Sequence, residues 1–347
     1  MVLTNKIILD SGAFSAHVKG ETLDVEQYAE FVKEYGASFE GGCFNLDVIG
    51  DGKASYDNWK KLRSLGVDTI PVFHLGTDEK YLHKYLKQTD YIGIGAIANL
   101  DTKARLMGLD WVWNTHLTNS DGTPKLKVHG LGLTSVRIML RYPWYSVDSS
   151  TATKTAMFGK IHVPELKYIA SEKRYEPNYD YIFALLVSDQ GNHHMSNSRS
   201  FFSMPPTMQK GYRAFIEERG YEVGNISGRV IKTTRRHKRR VKGASERDAI
   251  LQPSFDKLMI SPNANNTAEG AESTTVAGSW EQRCLFNLDF WKELVAKHGR
   301  DTIVYHVASS TSHLDAIGER QLPMLVSYYL LKNKGILFRK IVLGEDE

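Results

Sequence analysis

Two carboxylates each follow a short apolar run and precede small hydroxyl residues. Asp10 lies in the segment LDSGAF, and Asp148 lies in YSVDSS. Two carboxylates at one pocket can divide proton transfer and nucleophilic attack between them, and a close pair supports a covalent, retaining mechanism in glycosyl chemistry. The local alternative is that Asp10 only ends a strand in a turn, where its side chain accepts backbone N–H groups.

Further candidate residues follow other apolar runs. Asp47 in FNLDVIGD could accept the N–H groups of a purine-like ring, or it could cap the next helix. His74 in VFHLG could donate to a carbonyl group of a bound base, or it could be a satisfied core histidine. Gly95 and Ala96 in GIGAI leave the backbone accessible to a ligand because they have little or no side chain. Buried barrel strands often contain glycine too, so GIGAI alone is weak evidence.

The sequence offers few ligands for a metal. Its two cysteines, Cys43 and Cys284, are far apart and form no CxxC pair, which excludes a disulfide framework and argues against zinc bound by cysteines. His193 and His194 are adjacent, but no other ligand lies at a supportive spacing. We therefore expect no metal site.

Positive charge is concentrated in the second half of the chain. Residues 1–150 contain 16 Lys and Arg against 18 Asp and Glu, whereas residues 151–347 contain 28 against 22. Residues 229–242 contain eight Lys and Arg and no acid. Such a run is either a solvated face or a contact with phosphates, and we expect the latter. The candidate contacts are Arg235, Arg236, Lys238, Arg239 and Arg240.

Aromatic residues lie beside the two carboxylates in sequence. Phe14 follows Asp10, and Trp144 and Tyr145 precede Asp148. Aromatic planes next to a cationic surface suit an unstacked base, although each ring could equally belong to the core.

The elements that must position these residues alternate regularly through residues 1–150. Six apolar runs predict strands at Lys6–Leu9, Cys43–Val48, Thr69–Phe73, Tyr91–Ile97, Lys125–Leu131 and Tyr145–Val147. Amphipathic segments between them predict helices at Val25–Tyr35, Tyr56–Leu65, Glu79–Leu86, Thr102–Thr115 and Ser135–Arg141. Asp24 is expected to cap the first of these helices and Gly36 to close it. The alternation predicts an α/β fold with a parallel sheet and right-handed crossovers.

The residues at the strand ends favour a closed (β/α)8 TIM barrel over an open doubly wound sheet. Five of the six predicted strands finish on a polar side chain, and the sixth finishes at Gly95 and Ala96; the five are Asp10, Asp47, His74, His129 and Asp148. A barrel gathers such strand ends around one pocket. An open sheet would concentrate its site at one switch point, and no GxGxxG loop follows the first strand.

The regular rhythm ends after residue 150. Residues 151–280 are expected to form a long, basic insertion after the sixth strand, with a helix at Gln209–Gly220 and a mobile polar tract over 261–279. Residues 281–347 are expected to complete the barrel or pack on it, through strands at Thr302–Val307 and Ile336–Val342 and a helix at Pro323–Lys332. The composition is that of a soluble globular protein, with no signal peptide or membrane-spanning stretch, so we expect a cytoplasmic location.

Four motifs over residues 6–150 resemble the tRNA-guanine transglycosylase superfamily, and most closely its DNA-modifying members from phages and bacteria. LDSGAF resembles the family's Asp-Ser-Gly-Gly-aromatic motif, and GIGAIA resembles its Gly-Gly-Leu-Ala-Val strand. KVHGLGLTS resembles the segment before the family's nucleophile strand, and YSVDSS occupies the place of that strand. The motifs occur in the order that the family has them.

The resemblance implies a role for each matched residue. Asp148 would be the nucleophile that attacks C1′ of the sugar, and Asp10 would be the general acid and base for the two exchanging bases. Phe14 would stack on the base and Asp47 would recognise its guanine-like edge. Ser11, His74, Gly95 and Ala96 complete the expected base site, although His74 stands where the tRNA enzymes have a glutamine. Because one glycosidic bond is broken and another made, the reaction needs no cofactor.

Two departures from the family bear on the polymer substrate. The family's cysteine-rich zinc subdomain is missing, and the region after Ser150 has no counterpart in the family but contains the basic run. We therefore expect guanine in DNA to be exchanged for a 7-deazaguanine derivative, in the host cytoplasm if the chain is phage-encoded. Two alternatives stay open: a variant acting on tRNA, and an inactive barrel that only binds nucleic acid. Nothing in the sequence indicates an oligomeric state.

Overall fold

The computed structural model describes residues 7–20, 22–95, 101–133, 135–188, 199–224, 275–298, 302–308 and 338–341. Several sequence predictions concern residues outside these ranges. They are the base contact of Ala96, the basic residues from Arg235 to Arg240, the His193–His194 pair, most of the polar tract over 261–279 and the helix at Pro323–Lys332.

Six strands and six helices alternate through the first part of the chain. The strands are β1 Ile7–Leu9, β2 Gly42–Cys43, β3 Val72–His74, β4 Tyr91–Gly95, β5 Lys127–Gly130 and β6 Ser146–Ser149. The helices are α1 Ala13–Lys19, α2 Val25–Tyr35, α3 Gly52–Ser64, α4 Glu79–Leu86, α5 Thr102–Val112 and α6 Val136–Arg141. A 3-10 turn at Gly36–Ser38 follows α2, and a π-helix at Trp113–Leu117 follows α5. The predicted alternation is confirmed, and α1 is a helix that the sequence pattern did not indicate.

Local side-chain chemistry explains where these helices begin. The Asp24 carboxylate accepts a 2.9 Å hydrogen bond from the backbone N–H of Gln27, so the predicted cap of α2 is confirmed. The helix buries its apolar stripe, which consists of Tyr28, Ala29, Phe31 and Val32. The next three helices, α3 to α5, are capped in the same way by Asp51, Asp78 and Asp101. Asp51 therefore performs the capping role that was the alternative for Asp47.

Eight strands form one sheet in the order β2-β1-β10-β9-β6-β5-β4-β3, with β9 at Ile303–Ala308 and β10 at Phe338–Ile341. All neighbours pair in parallel except β10, which runs antiparallel to both β1 and β9. An ideal (β/α)8 sheet is parallel throughout, so β10 departs from that expectation. The departure is physically simple because antiparallel neighbours need no crossover helix between them.

The two strands at the ends of this order are joined by a backbone bridge. Phe44, directly after β2, pairs in parallel with Ile70, which lies just before β3. Two 2.8 Å hydrogen bonds hold the bridge, from the Asn45 N–H to the Ile70 carbonyl and from the Ile70 N–H to the Cys43 carbonyl. One buried cluster also contains residues from both ends of the order, and its members are Ile8, Phe44, Ile70 and Val72, contacted by Tyr91, Leu131 and Ile303. Side chains of β1, β3, β4 and β9 therefore meet in one cluster.

Between β6 and β9 the chain forms a second, two-stranded sheet. Strands β7 Lys160–Ile169 and β8 Arg174–Leu186 pair antiparallel, with a shift of register between Pro164 and Glu165. Helix α7 Thr151–Met157 precedes this hairpin, and a 3-10 turn at Phe201–Ser203, α8 Pro206–Glu217 and α9 Trp280–Lys297 follow it. Because α9 packs against α7 and β7, it joins residues on both sides of the boundary predicted at residue 280. None of the helices within the described ranges has the length and apolar character needed to cross a bilayer.

Candidate active site

Buried polar side chains collect at the carboxyl ends of the parallel strands. They are Asp10 and Ser11 after β1, Asp47 after β2, His74 on β3 and Asp148 on β6. Two more buried polar residues lie deeper in the sheet: Ser146 is the first residue of β6, and His129 on β5 is its register partner. All of these residues are at most 8% exposed, although polar groups are costly to bury unless they have partners. The carboxyl ends of parallel strands share one edge of a sheet, so the first five residues share that edge.

Asp148 is held by two N–H donors on one oxygen. Its Oδ1 accepts hydrogen bonds from the backbone N–H of Gly132, at 2.6 Å, and from Nε2 of His129, at 3.1 Å. Gly132 has a φ of +66°, a conformation that residues with a side chain rarely adopt. Because both donors favour a negatively charged acceptor, the arrangement stabilises the ionised carboxylate and fixes its orientation.

A chain of buried hydrogen bonds continues from His129 away from Asp148. Its Nδ1 lies 2.8 Å from Ser146 Oγ, which lies 2.8 Å from the Tyr91 hydroxyl oxygen. Since an ionised Asp148 only accepts, His129 donates from Nε2, and its Nδ1 then accepts from Ser146. Ser146 in turn accepts from Tyr91. Burial raises the pKa of the Tyr91 phenol, so the hydroxyl keeps the proton that it donates.

Asp47 belongs to a second buried group, on β1 to β3. Its Oδ2 lies 2.8 Å from His74 Nε2, and its Oδ1 accepts a 3.4 Å hydrogen bond from the Ser11 hydroxyl. The backbone N–H of Gly50 donates to Nδ1 of His74 at 3.2 Å. Nδ1 is therefore an acceptor, and Nε2 is the protonated nitrogen that donates to Asp47. Both ring nitrogens of His74 are thus bonded within the protein.

Gly95 has a steric role in this second group. A Cβ atom at this position would lie 2.5 Å from Cδ2 and 3.0 Å from Nε2 of His74. The imidazole ring therefore occupies the space where a side chain on β4 would be. The missing side chain of Gly95 makes room for His74. The predicted contact of the Gly95 backbone with a ligand stays a prediction.

Ser11 and Phe44 connect the parts of the site. Ser11, next to Asp10, donates to Asp47 and accepts a 3.3 Å hydrogen bond from the backbone N–H of Ala13, at the start of α1. The Phe44 ring, directly after β2, lies 4.8 Å from the His129 ring on β5. Phe44, three residues before Asp47 in the chain, therefore contacts the group that holds Asp148.

The aromatic residues near the carboxylates differ in exposure. Phe14 on α1 is 51% exposed and available to a ligand. Trp144 is buried, its indole N–H donates to the Ile138 carbonyl, and its ring packs edge-on against Trp113, so it is a core residue. Tyr145 packs edge-on against Tyr91, next to the hydrogen-bonded chain behind Asp148.

Ser146, Tyr91 and Gly132 were not among the predicted site residues, and His129 was noted only as the end of a strand. One signal was present: Ser146 and Asp148 are two residues apart, so they lie on the same face of β6. The partners of these residues lie on other strands, and a local pattern does not identify them.

Two other features lie apart from these strand ends. Within the described residues, one cluster of three metal-ligating side chains occurs, formed by Glu79, His83 and His116, and it shares no residue with the site above. A surface cavity of about 550 Å³ is lined by residues of α8 and the turn after it, and by Thr275. Two of its lining residues, Gly224 and Thr275, flank in sequence a segment that the structure does not describe, so we assign the cavity no function.

Comparisons with models of protein families, with curated proteins and with solved structures found no match for this chain.

Proposed function

We propose that this chain is a pentosyltransferase that exchanges guanine in DNA for a 7-deazaguanine base through a covalent link between Asp148 and the sugar. The observation that carries the proposal is the state of Asp148. This carboxylate is buried, is fixed by Gly132 and His129, and lies at the strand edge to which the candidate base-binding residues also belong. A nucleophile needs such fixation, because attack requires a defined approach to the sugar carbon.

For the fold, we propose a barrel related to the (β/α)8 class, with β10 as its one antiparallel strand. The bridge between Phe44 and Ile70 supports this proposal, because it links the two strands that would otherwise be the edges of the sheet. The cluster of Ile8, Phe44, Ile70 and Val72 supports it as well, since a flat sheet in this strand order would keep β1 and β3 far apart. In such a barrel, ligands bind at the carboxyl ends of the strands.

The proposed reaction has two displacements at C1′ of one nucleotide. In the first, the Asp148 carboxylate forms a bond to C1′ while the bond from C1′ to guanine N9 breaks, and Asp10 supplies the proton that neutralises the departing base. In the second, Asp10 takes the N9 proton of the incoming base, N9 bonds to C1′, and Asp148 leaves as a carboxylate. Charge and protons balance over the cycle, and no electrons are transferred.

The second buried group supplies the base site in this proposal. Asp47 recognises N–H groups of the base, and its orientation is set by His74 and Ser11. We assign His74 to positioning Asp47 rather than to contact with the base, because both of its nitrogens are already bonded. Phe14 would cover the base from α1 in this proposal, and its half-exposed side chain is accessible for that role.

The choice of DNA as the polymer depends on sequence features. Eight Lys and Arg without an acid over residues 229–242 suit the phosphate backbone, through Arg235, Arg236, Lys238, Arg239 and Arg240. The cysteine-rich zinc subdomain of the tRNA-modifying family is missing from this sequence, which argues against tRNA as the polymer. The target guanine would be extruded from the duplex before reaction, and the cytoplasm is the proposed location.

The test compares the wild type with Asp148→Asn, which keeps the size of the side chain but removes the nucleophile. Each protein is incubated with DNA or with tRNA and with 7-deazaguanine, and nucleosides are then quantified by mass spectrometry. We expect incorporation into DNA by the wild type and a loss of at least about a thousandfold in Asp148→Asn. Intact-protein mass spectrometry should detect a sugar adduct on the wild type only.

Asp57→Asn is the matched control, because Asp57 is an exposed carboxylate paired with Lys53 on α3. It should keep full activity. Incorporation into tRNA alone would move the proposal to the tRNA variant. Binding of DNA without any exchange or adduct would contradict the enzyme and favour an inactive nucleic-acid-binding barrel.

A further inference from the structure

A cluster of three side chains joins α4 to the π-helix after α5. Glu79 and His83 lie one helical turn apart on α4, and His116 lies in the π-helix at Trp113–Leu117. Glu79 Oε1 is 3.0 Å from His83 Nε2 and 3.1 Å from His116 Nε2. All three potential ligand atoms lie within 4.8 Å of one another. Three donors from two separate elements therefore converge on one point.

Hydrogen bonds among the described residues do not explain why the His116 side chain is buried. Its side chain is 7% exposed, and its Nε2 has no hydrogen-bond partner among the described residues despite its closeness to Glu79. A buried imidazole nitrogen without a hydrogen bond costs free energy, because it loses its hydrogen bonds to water and gains none in the protein. The ring is fixed by edge-on contacts with Trp111 and His83, both at 5.0 Å between ring centroids. His116 Nε2 thus lies 3.1 Å from Glu79 Oε1 without the geometry of a hydrogen bond.

We propose that Glu79, His83 and His116 bind a divalent transition-metal ion, with zinc as the best match. A tetrahedral zinc ion with bonds of about 2.0 to 2.1 Å has its ligand atoms about 3.4 Å apart. The distances from Glu79 Oε1 to His83 Nε2 and to His116 Nε2, 3.0 and 3.1 Å, are close to this value. Two imidazoles and one carboxylate suit zinc better than magnesium or calcium, which prefer oxygen ligands.

The cluster is accessible to an ion from outside the protein. The side chains of Glu79 and His83 are 46% and 52% exposed, so an ion can enter from solvent and keep a water as its fourth ligand.

Bound in this way, the ion would link α4 to the π-helix. Segments of π-helix are rare and occur frequently at functional sites. This inference does not depend on base exchange, because the cluster shares no residue with the strand-end site.

The experiment uses the full chain, stripped with a chelator and titrated with Zn²⁺ and separately with Co²⁺. We expect one ion per chain, and Co²⁺ should give the visible absorption bands of a tetrahedral site. Because His83 is half exposed, His83→Ala should fold normally, which circular dichroism can verify, and should bind Zn²⁺ at least tenfold more weakly. Glu79→Gln should weaken binding in the same direction without removing an imidazole.

His17→Ala is the matched control, since His17 is an exposed histidine on α1. It should bind Zn²⁺ as the wild type does. Equal affinity in the wild type and His83→Ala would overturn the proposal, as would the absence of stoichiometric uptake. Saturation by Mg²⁺ at equal affinity would also contradict it, because the predicted preference follows from the two imidazoles.

Discussion

Asp148 lies at the end of a buried chain of hydrogen bonds. The hydrogen bonds behind it all point in one direction, from Tyr91 through Ser146 to His129 and then to the carboxylate. Ser146 and His129 each accept one of these hydrogen bonds and donate the next, so reversing one bond would leave another group unsatisfied. The chain therefore fixes the ring orientation of His129 and, through it, the carboxylate.

Removing the outer hydroxyl of this chain tests how much it stabilises. Tyr91→Phe deletes the 2.8 Å hydrogen bond to Ser146 and should lower the free energy of unfolding by about 1 kcal/mol, measured by urea denaturation. Tyr145→Phe is the control, because the Tyr145 ring packs on Tyr91 but its hydroxyl has no hydrogen-bond partner among the described residues. An equal loss of unfolding free energy in the two variants would show that the hydrogen bond of the Tyr91 hydroxyl does not stabilise the protein.

The sequence could predict those residues of the site that lie at the ends of strands. Asp10, Asp47, His74 and Asp148 were chosen because a polar residue after an apolar run is exceptional, and the structure buries all four. The partners of these residues were not predictable. The Asp47–His74 pair joins residues 27 positions apart, and no local pattern encodes such a contact.

At the scale of elements, strand β4 fits against its neighbours because two of its residues are glycines and have no side chain. A Cβ atom at Gly93 would lie 2.7 Å from the Leu131 side chain, and one at Gly95 would lie 2.5 Å from His74. Close packing of this kind leaves no room for a methyl group without shifting a neighbour. The glycines of β4 are therefore explained by packing, independently of any ligand.

Gly95→Ala should accordingly destabilise the protein. The new methyl group would displace His74 from Asp47, and overpacking of this kind costs about 1–3 kcal/mol. Gly108→Ala is the matched control on α5, where the nearest atom is 3.6 Å from the added Cβ. It should instead stabilise by about 0.5–1 kcal/mol, because alanine favours a helix. Denaturation curves of both variants check this, and a stable Gly95→Ala protein would refute the packing argument.

Elements with regular local patterns were predicted well, and those without were not. Helices α2 and α4 have the predicted bounds, because their apolar spacing and aspartate caps are both visible in the sequence. The β7–β8 hairpin was missed: Pro164 and Pro177 lie inside its strands, and proline normally argues against a strand. Its register also shifts at Pro164, so the pattern is interrupted where the pairing continues.

For the molecule as a whole, a histidine links the hairpin to the long helix α9. The His162 ring on β7 lies against Phe290 and Trp291, and its backbone N–H donates to the Asn287 side chain at 2.7 Å. Burial lowers the pKa of His162 to about 4. The folded protein therefore holds this ring neutral over a range in which the unfolded chain, with an ordinary pKa near about 6.5, binds a proton.

This difference predicts acid sensitivity with a defined sign. Between about pH 6.5 and 4 the unfolded state binds more protons at His162 than the folded state, so stability falls as the pH falls through that window. The contribution is about 3 kcal/mol in total. His162→Phe keeps an aromatic ring at this position but cannot bind a proton. Its free energy of unfolding should therefore fall by about 3 kcal/mol less than that of the wild type between pH 7 and pH 4. Identical pH profiles for the two proteins would contradict the assignment.

The strand order explains why the complete topology could not be predicted from the sequence. The first six units follow one another along the chain, but β10 lies between β1 and β9 and runs against both. Its pairing joins Ile7 to Lys340, a contact between residues more than 300 positions apart. Hydrophobic periodicity marks such a segment as a strand but gives neither its partner nor its direction.

The position of β10 has a consequence for synthesis on the ribosome. Strand β10, which covers one edge of β1, is synthesised more than 300 residues after it. During translation the growing chain therefore carries an uncovered strand edge, which is a template for pairing with other chains. Completion of this sheet has to wait until residues 338–341 emerge from the ribosomal tunnel, and until then the nascent chain depends on other means of avoiding aggregation.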